Sequence, residues 1–364
     1  MGRSMKRLIS VLVAGLFAVS AGFAQMDLQE VARVRLVRTE PITVKQLRLE
    51  IEKIAWGQLL QSLRRQPTAQ EVGSVIQTMT KEQKRQVLDR MINDRLALQA
   101  AERDKITVTD NEINVQLDRL RDNMSQSIGR RPTDAEFAVA VREETGQDVP
   151  AFREDLRKQF VLRKYITTKY DSQFKAIAVT DEELRNVYSL QKSQLIRPET
   201  VRVSMIQVPF TDGASKIKAK ELAERLIREI GSSPAKFDET SAKGATPNSG
   251  YQAGDAGYLP RNPQALQLVG TEFLNTAFTL KQGEVSKLIE NTRGYHIIKI
   301  TETYEQKNLE LDDIYQVGTN ITVREYIRRG LLQEKEMALF EKVTGELVTE
   351  LRKGTPYEIF ENNL

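Results

Sequence analysis

No cysteine occurs in the 364 residues, and histidine occurs once, at position 296. These absences exclude a thiol nucleophile, a cysteine-based zinc site and a multi-histidine metal site, and no metal or other cofactor is expected. N-terminal lipidation of the lipoprotein kind, which needs a cysteine, is excluded too. Methionine (8 residues) and aromatics (6%) are not enriched, so no stripe of them marks a binding groove. A charge excess is also missing. The 54 Lys and Arg stand against 50 Asp and Glu, and an N-terminal leader carrying Arg3, Lys6, Arg7 and no acid accounts for most of the difference, leaving 51 against 50. A chain so nearly neutral offers nucleic acid no electrostatic footprint, and no nucleic-acid partner is expected. After the leader no apolar run reaches spanning length, so the mature chain is expected to have no integral membrane anchor.

That leader is the stretch MGRSMKRLISVLVAGLFAVSAGFA: a basic start, an apolar run of about 17 residues and small residues at its end. Its anatomy is that of a secretory signal cleaved near Ala21 or Ala24, and the mature protein is expected to be exported. From Thr43 to about Gln191 the chain reads as successive helices announced by capping boxes, in which a Thr precedes a Glu or Gln by three residues. The pairs are Thr43/Gln46, Thr68/Glu71, Thr80/Gln83, Thr109/Glu112, Thr133/Glu136 and Thr180/Glu183. Leu88, Met91, Ile92 and Leu96 fall at helical spacing, and Phe152, Leu156, Phe160 and Ile166 do so less regularly.

Composition shifts after Pro198. Strand-like stretches (VRVSMIQVPF, GEVSKLIE, GYHIIKI) alternate with helical ones, and glycine becomes frequent. A helix over about 214–230 carries Ile217, Leu222, Leu226 and Ile230 on or near one face. In GYHIIKI, alternation puts Tyr295, Ile297 and Lys299 on one face and His296, Ile298 and Ile300 on the other. Thr322 and Glu325 form a seventh box, opening a helix whose apolar stripe runs through Ile327, Leu331, Leu339, Val343, Leu347 and Leu351. Such a stripe requires burial, and the helical region at the other end of the chain is the expected acceptor. The fold class is α+β. Its parts are a leader (1–24), a multi-helix lobe (25–195), a compact α+β domain (196–305) and a C-terminal segment (306–364) whose helix completes the lobe.

Read together, these pieces resemble the periplasmic chaperone and prolyl-isomerase family typified by SurA, with PrsA and PpiD as relatives. RTEPITVKQLRLEIE is similar to that family's opening strand and first helix, VLDRMINDRLALQAAERDKITVTDNEI to its central helical motif, and VTDEELRNVYSLQKSQL to the helix leading into a parvulin domain. GDAGYLP, EFLNTAFTLKQGEVSKLI and GYHIIKI resemble consecutive parvulin landmarks. PrsA is anchored through a lipidated Cys and PpiD through a transmembrane helix. With neither feature, the chain resembles the free SurA arrangement most. The resemblance implies a chaperone for unfolded or nascent exported polypeptides, outer-membrane proteins among the candidate clients, with a peptidyl-prolyl cis-trans isomerase domain.

Rotation about an X–Pro bond faces a barrier of about 18–20 kcal/mol, and an apolar pocket with suitably placed polar groups lowers it by binding the twisted amide better than the planar one. By resemblance Phe273 and Phe278 match the pocket aromatics, Val269 stands where Met or Leu is usual, and His296 matches the second of two family histidines as candidate catalytic residue. Three positions depart. Met205 replaces the first histidine, leaving it a candidate pocket-lining residue. The acid or thiol position falls in Ala245–Pro247, where neither exists, and Gly270 stands where a polar pocket residue is common. The nearest acid, Asp255, reads as a turn former. His296 has two readings: member of a catalytic pair, or a buried strand histidine tied to neighbouring oxygens. The lost partner favours the second, and an isomerase that is weak or inactive is expected.

Overall fold

The computed structural model describes residues 27–364 apart from Ala245, Pro247 and Asn248. The expected leader over 1–24, and two of the three positions in Ala245–Pro247, lie outside the described residues. Two compact units emerge, one comprising the chain up to Ile177 together with Lys335–Leu364, the other Ala178–Glu334.

In the first unit, β1 (Glu30–Arg35) and β2 (Thr39–Thr43) form an antiparallel hairpin. The strand Tyr357–Ile359 from the far end of the chain adds to the other edge of β1, with Val34 opposite Tyr357 and Ala32 opposite Ile359. Helices α1 (Val44–Leu63), α2 (Ala69–Thr78), α3 (Lys81–Arg103), α4 (Asp110–Ile128), α5 (Asp134–Thr145), α6 (Val149–Lys169) and the short α7 (Asp171–Lys175) follow. The first five open with the capping boxes legible in the sequence, the Thr hydroxyl accepting the N3 amide and the N3 side chain accepting the Thr amide. Each box satisfies two amides that the helix itself leaves without partners. α6 starts instead on Asp148, whose carboxylate accepts the Ala151 amide at 2.9 Å.

Leu88, Ile92 and Leu96 of α3 are fully buried against Val31, Val34 and Ile42 of the hairpin, and Val343, Leu347 and Leu351 of the C-terminal helix (Val323–Leu351) enter the same core. The apolar face of α6 divides: Ile166 serves this core, whereas Phe152, Leu156 and Phe160 pack on a satellite core around Ile113, Leu117, Phe137 and Val141. One polar side chain, Gln99, is wholly buried. Its Oε1 accepts the amides of Leu36, Val37 and Arg38 at 3.2, 2.9 and 3.3 Å, and its Nε2 donates to Glu40 at 3.2 Å. The β1–β2 turn is thereby fastened to α3 through groups that would otherwise lack partners.

The C-terminal helix departs from the sequence reading, which docks its whole stripe on the lobe. Ile327 and Leu331 pack instead with Leu184, Leu195, Leu309 and Val323 inside the second unit. A helix of 29 residues is about 44 Å long, more than one small core can cover, so the stripe serves two. The seventh capping box is half formed: the Glu325 amide donates to Thr322 Oγ1 at 3.2 Å, but the Glu325 carboxylate is engaged by Arg329 at 2.9 Å.

The second unit begins with α8 (Asp181–Gln191), opened by the Thr180/Glu183 box. After the two-residue β3 (Ile196–Arg197) come β4 (Thr200–Pro209), α9 (Gly213–Ile230), α10 (Pro234–Gly244), β5 (Gln252–Pro260), α11 (Pro263–Val269), α12 (Thr271–Thr279), β6 (Ile289–Asn291) and β7 (Gly294–Tyr304). β8 (Lys307–Asn308) returns to pair with β3. The main sheet is antiparallel in the order β5-β4-β7-β6. Alternation along β4 and β7 gives it two apolar faces. Ile206, Val208, Tyr295 and Ile297 pack under α9 and Phe237, while Val201, Val203, Ile298 and Ile300 face Phe273, Leu274 and Ala277 of α12. On α9 Leu226 and Ile230 are buried, but Ile217 is 64% exposed. It precedes Leu226 by nine residues, which at 100° each puts it about 180° round the helix. Ala219 and Ala223 fill the buried side there.

Candidate functional site

A cavity of about 230 Å³ opens on the α12 side of the sheet, within the second unit. Its apolar lining comes from Val203 and Met205 of β4, Leu259 of β5, Leu268 and Val269 of α11 and Phe273 of α12. Gln207, Asn291, Arg293 and His296 supply the polar lining. Antiparallel pairing of β4 with β7 sets Gln207 opposite His296, so both sides of the ladder deliver polar side chains to one end of the cavity. The β6–β7 turn brings Arg293 there. Gly294 makes that turn feasible: its φ is +149°, and a Cβ would lie 2.4 Å from the Val208 carbonyl oxygen.

His296 is 3% exposed and meets the Phe273 ring edge-on, with centroids 5.5 Å apart and planes at 84°. Its Nε2 lies 2.8 Å from Asn291 Oδ1. That oxygen also accepts the Arg293 amide at 2.8 Å, while Asn291 Nδ2 donates to the Val269 carbonyl at 3.2 Å. The Asn orientation is thus set by its other two partners, and an accepting Oδ1 requires the proton on His296 Nε2. Nδ1 is left as a buried lone pair without a partner. Burial, and secondarily the positive charge of Arg293, push the imidazole down to about 4, so the ring is neutral at pH 7. Its one donor is spent on Asn291, and its remaining nitrogen is buried and unpaired, so the ring presents no charge and no free donor to the cavity.

Four of the five residues singled out in the sequence, Met205, Val269, Phe273 and His296, line this cavity, and Phe278 does not. Phe278 follows Phe273 by five residues, about 140° round α12, and its half-buried ring lies under the Arg261 guanidinium, 5.3 Å from centroid to Cζ. Asp255 is also outside the lining. Its carboxylate takes Arg202 at 2.7 Å and the Gly257 amide at 2.9 Å, and the Arg202 hydrogen bond followed by that amide hold it below the usual carboxylate range. Gly270 has φ +83° and ψ 162° between α11 and α12, a conformation that excludes the polar side chain the resemblance would place there.

Residues 179–316 match the family model of the PPIC-type PPIASE domain, and residues 3–166 match that of the SurA-like N-terminal domain. This chain carries both domains. A foldase protein PrsA of Clostridium botulinum (strain Hall) is 27% identical over an alignment spanning 100% of this chain and 99% of the relative. The PrsA of Clostridium acetobutylicum is 24% identical over 93% and 94%. Among solved structures, one of the two Campylobacter jejuni proteins PEB4 and Cj1289, described as SurA-like chaperones, is 17% identical with a TM-score of 0.30, covering 88% of this chain and 97% of its own. PrsA from Bacillus subtilis is 21% identical with a TM-score of 0.27, covering 78% and 87%.

Within the PPIC-type domain, the sequence reading missed Asn291, Gln207 and Arg293. A signal existed for Asn291: an Asn two residues before the amide it accepts, in NTRG, is the pattern of an Asx turn. No local pattern marks Gln207, which reaches the cavity because strand register sets it opposite His296 and lets its Nε2 donate to the Arg293 carbonyl at 3.3 Å.

Proposed function

We propose that the protein is a periplasmic folding factor that holds unfolded exported polypeptides, outer-membrane proteins among them, and that its PPIC-type domain binds proline-containing segments with little isomerase activity. Support for a folding role comes from the two matched domains and from relatives named foldases. Support for periplasmic residence comes from the leader-like N-terminus; among the described residues no helix is long and apolar enough to cross a membrane. The observation that carries the catalytic part is the state of His296. It is neutral, spends its donor on Asn291 and has Met205 where the resemblance calls for a second histidine, so the cavity lacks a pair of titratable groups to stabilise a twisted amide.

A second reading, an active peptidyl-prolyl isomerase on the same clients, is favoured by one feature. The enclosed apolar lining around Phe273 can desolvate an X–Pro amide, and desolvation by itself favours the less solvated twisted form. A protease-coupled isomerisation assay over a panel of X–Pro peptides, run beside an aggregation-suppression assay on one preparation, separates the two. Suppression at near-stoichiometric ratios with isomerisation close to the uncatalysed rate is expected. Robust turnover that His296→Ala abolishes at unaltered stability would establish the isomerase instead.

A further inference from the structure

We propose that Arg293 is a specificity-determining residue of the cavity, selecting proline-containing segments that carry an acidic side chain next to the proline. The inference rests on the reading of the cavity as a proline site and adds charge selection to it. Among the lining residues Arg293 is the one charged side chain, and no acid accompanies it. Its guanidinium makes no ion pair or hydrogen bond with any described residue, while the surrounding charges are committed elsewhere. Arg202 holds Asp255 and Glu302, Lys216 holds Glu290, and Arg261 holds Glu199.

The backbone of Arg293 is fixed on both sides. Its amide donates to Asn291 Oδ1 at 2.8 Å and its carbonyl accepts Gln207 Nε2 at 3.3 Å. The residue that bears this exposed, uncompensated cation is thus anchored in the lining of a mostly apolar cavity, whose low-dielectric walls strengthen its field on that side. The same charge acts inward, contributing to the lowered proton affinity of His296. A proline ring seated against Phe273 keeps its chain neighbours beside the lining to which Arg293 belongs, within the field of that charge. A carboxylate there gains an ion pair, and a lysine meets repulsion.

The test uses the full chain and three short peptides, Ala-Glu-Pro-Phe, Ala-Gln-Pro-Phe and Ala-Lys-Pro-Phe, with Kd measured by titration. At low ionic strength the Glu-Pro peptide is expected to bind about three- to tenfold tighter than the Lys-Pro peptide, a gap that shrinks with salt as exposed ion pairs do. Arg293→Gln should erase the gap and Arg293→Glu invert it, each read as the ratio of Glu-Pro to Lys-Pro affinity within one protein, with the Gln-Pro peptide as the reference for any change in overall binding. With a single imidazole in the chain, NMR gives a second readout: His296 should titrate at higher pH in Arg293→Gln than in the parent. A Glu-over-Lys preference that survives Arg293→Gln, or a His296 titration that does not move, overturns the assignment. If none of the peptides binds the parent protein, the proline-site reading itself falls, and charge selection with it.

Discussion

Gln99 in the helical lobe and His296 in the PPIC-type domain are both buried polar side chains, but their surroundings treat them differently. Gln99 has both polar atoms engaged: three turn amides converge on its oxygen and Glu40 accepts from its nitrogen. His296 is half satisfied, with Nε2 tied to Asn291 and Nδ1 bare. A buried group engaged at both atoms acts as a fastener, since the turn amides lose their shared acceptor with it. A half-satisfied one is held by fewer partners, and its neutral state is what leaves its buried nitrogen tolerable. The comparison teaches that a buried polar side chain can tie a turn to a helix in one unit and border a cavity in the other, according to the partners that the fold brings to it.

The largest effect should come from removing the lobe's closure. Deleting residues 335–364 strips Val343, Leu347 and Leu351 from the main core together with the strand beside β1. Burial of each side chain contributes about 1.5–3 kcal/mol, and their sum rivals a whole domain's stability of about 5–15 kcal/mol. Calorimetry should show the lobe's transition lost and the second unit's retained; a lobe that melts unchanged would refute the closure. Next, Gln99→Leu should destabilise the lobe by about 2–3 kcal/mol by stranding the turn amides, lowering its Tm by several degrees. A shift no greater than that of an exposed Gln→Leu control would show that the fastener is dispensable.

His296→Ala should cost the second unit less at pH 7, about 1–2 kcal/mol, since one hydrogen bond and some packing are lost. Its signature lies in pH. The folded imidazole titrates at about 4 against 6.5 when free, so between those values the unfolded chain binds a proton that the folded one does not. Wild-type stability in the second unit is therefore complete above pH 6.5 and falls on acidification by up to about 3 kcal/mol. In the difference between wild type and variant, this slope should appear across pH 6.5 to 4; parallel profiles would contradict a neutral buried His296. The smallest effect concerns the lobe and has the opposite sign. Partial desolvation of its carboxylate, with Glu50 beside it, pushes Asp94 up to about 6 from 3.8, so its favourable neutral form is lost as pH rises through 6. Asp94→Asn should raise lobe stability at pH 7 by less than about 1 kcal/mol, because the side chain still meets solvent. Chemical denaturation at pH 7 and at pH 4 measures it, and a gain at pH 4 equal to that at pH 7 would sink the assignment.

Features decided within a few residues were legible in the sequence. The six capping boxes form as read, because each needs only a Thr and a Glu or Gln three positions apart. The two faces of β7 also follow from alternation alone, which put His296, Ile298 and Ile300 on the cavity side. What local pattern could not decide is which residues meet across distance. Gln99 reaches amides some sixty positions earlier in the chain, the C-terminal stripe is shared between two cores, and Phe278 turns out of the cavity that Phe273 lines. The protonation of His296 belongs to this second group. Periodicity carried the ring to the right face, but its tautomer, its bare nitrogen and its neutrality come from Asn291, Arg293 and the burial around them, which exist only once strands and turns far apart in sequence have packed together.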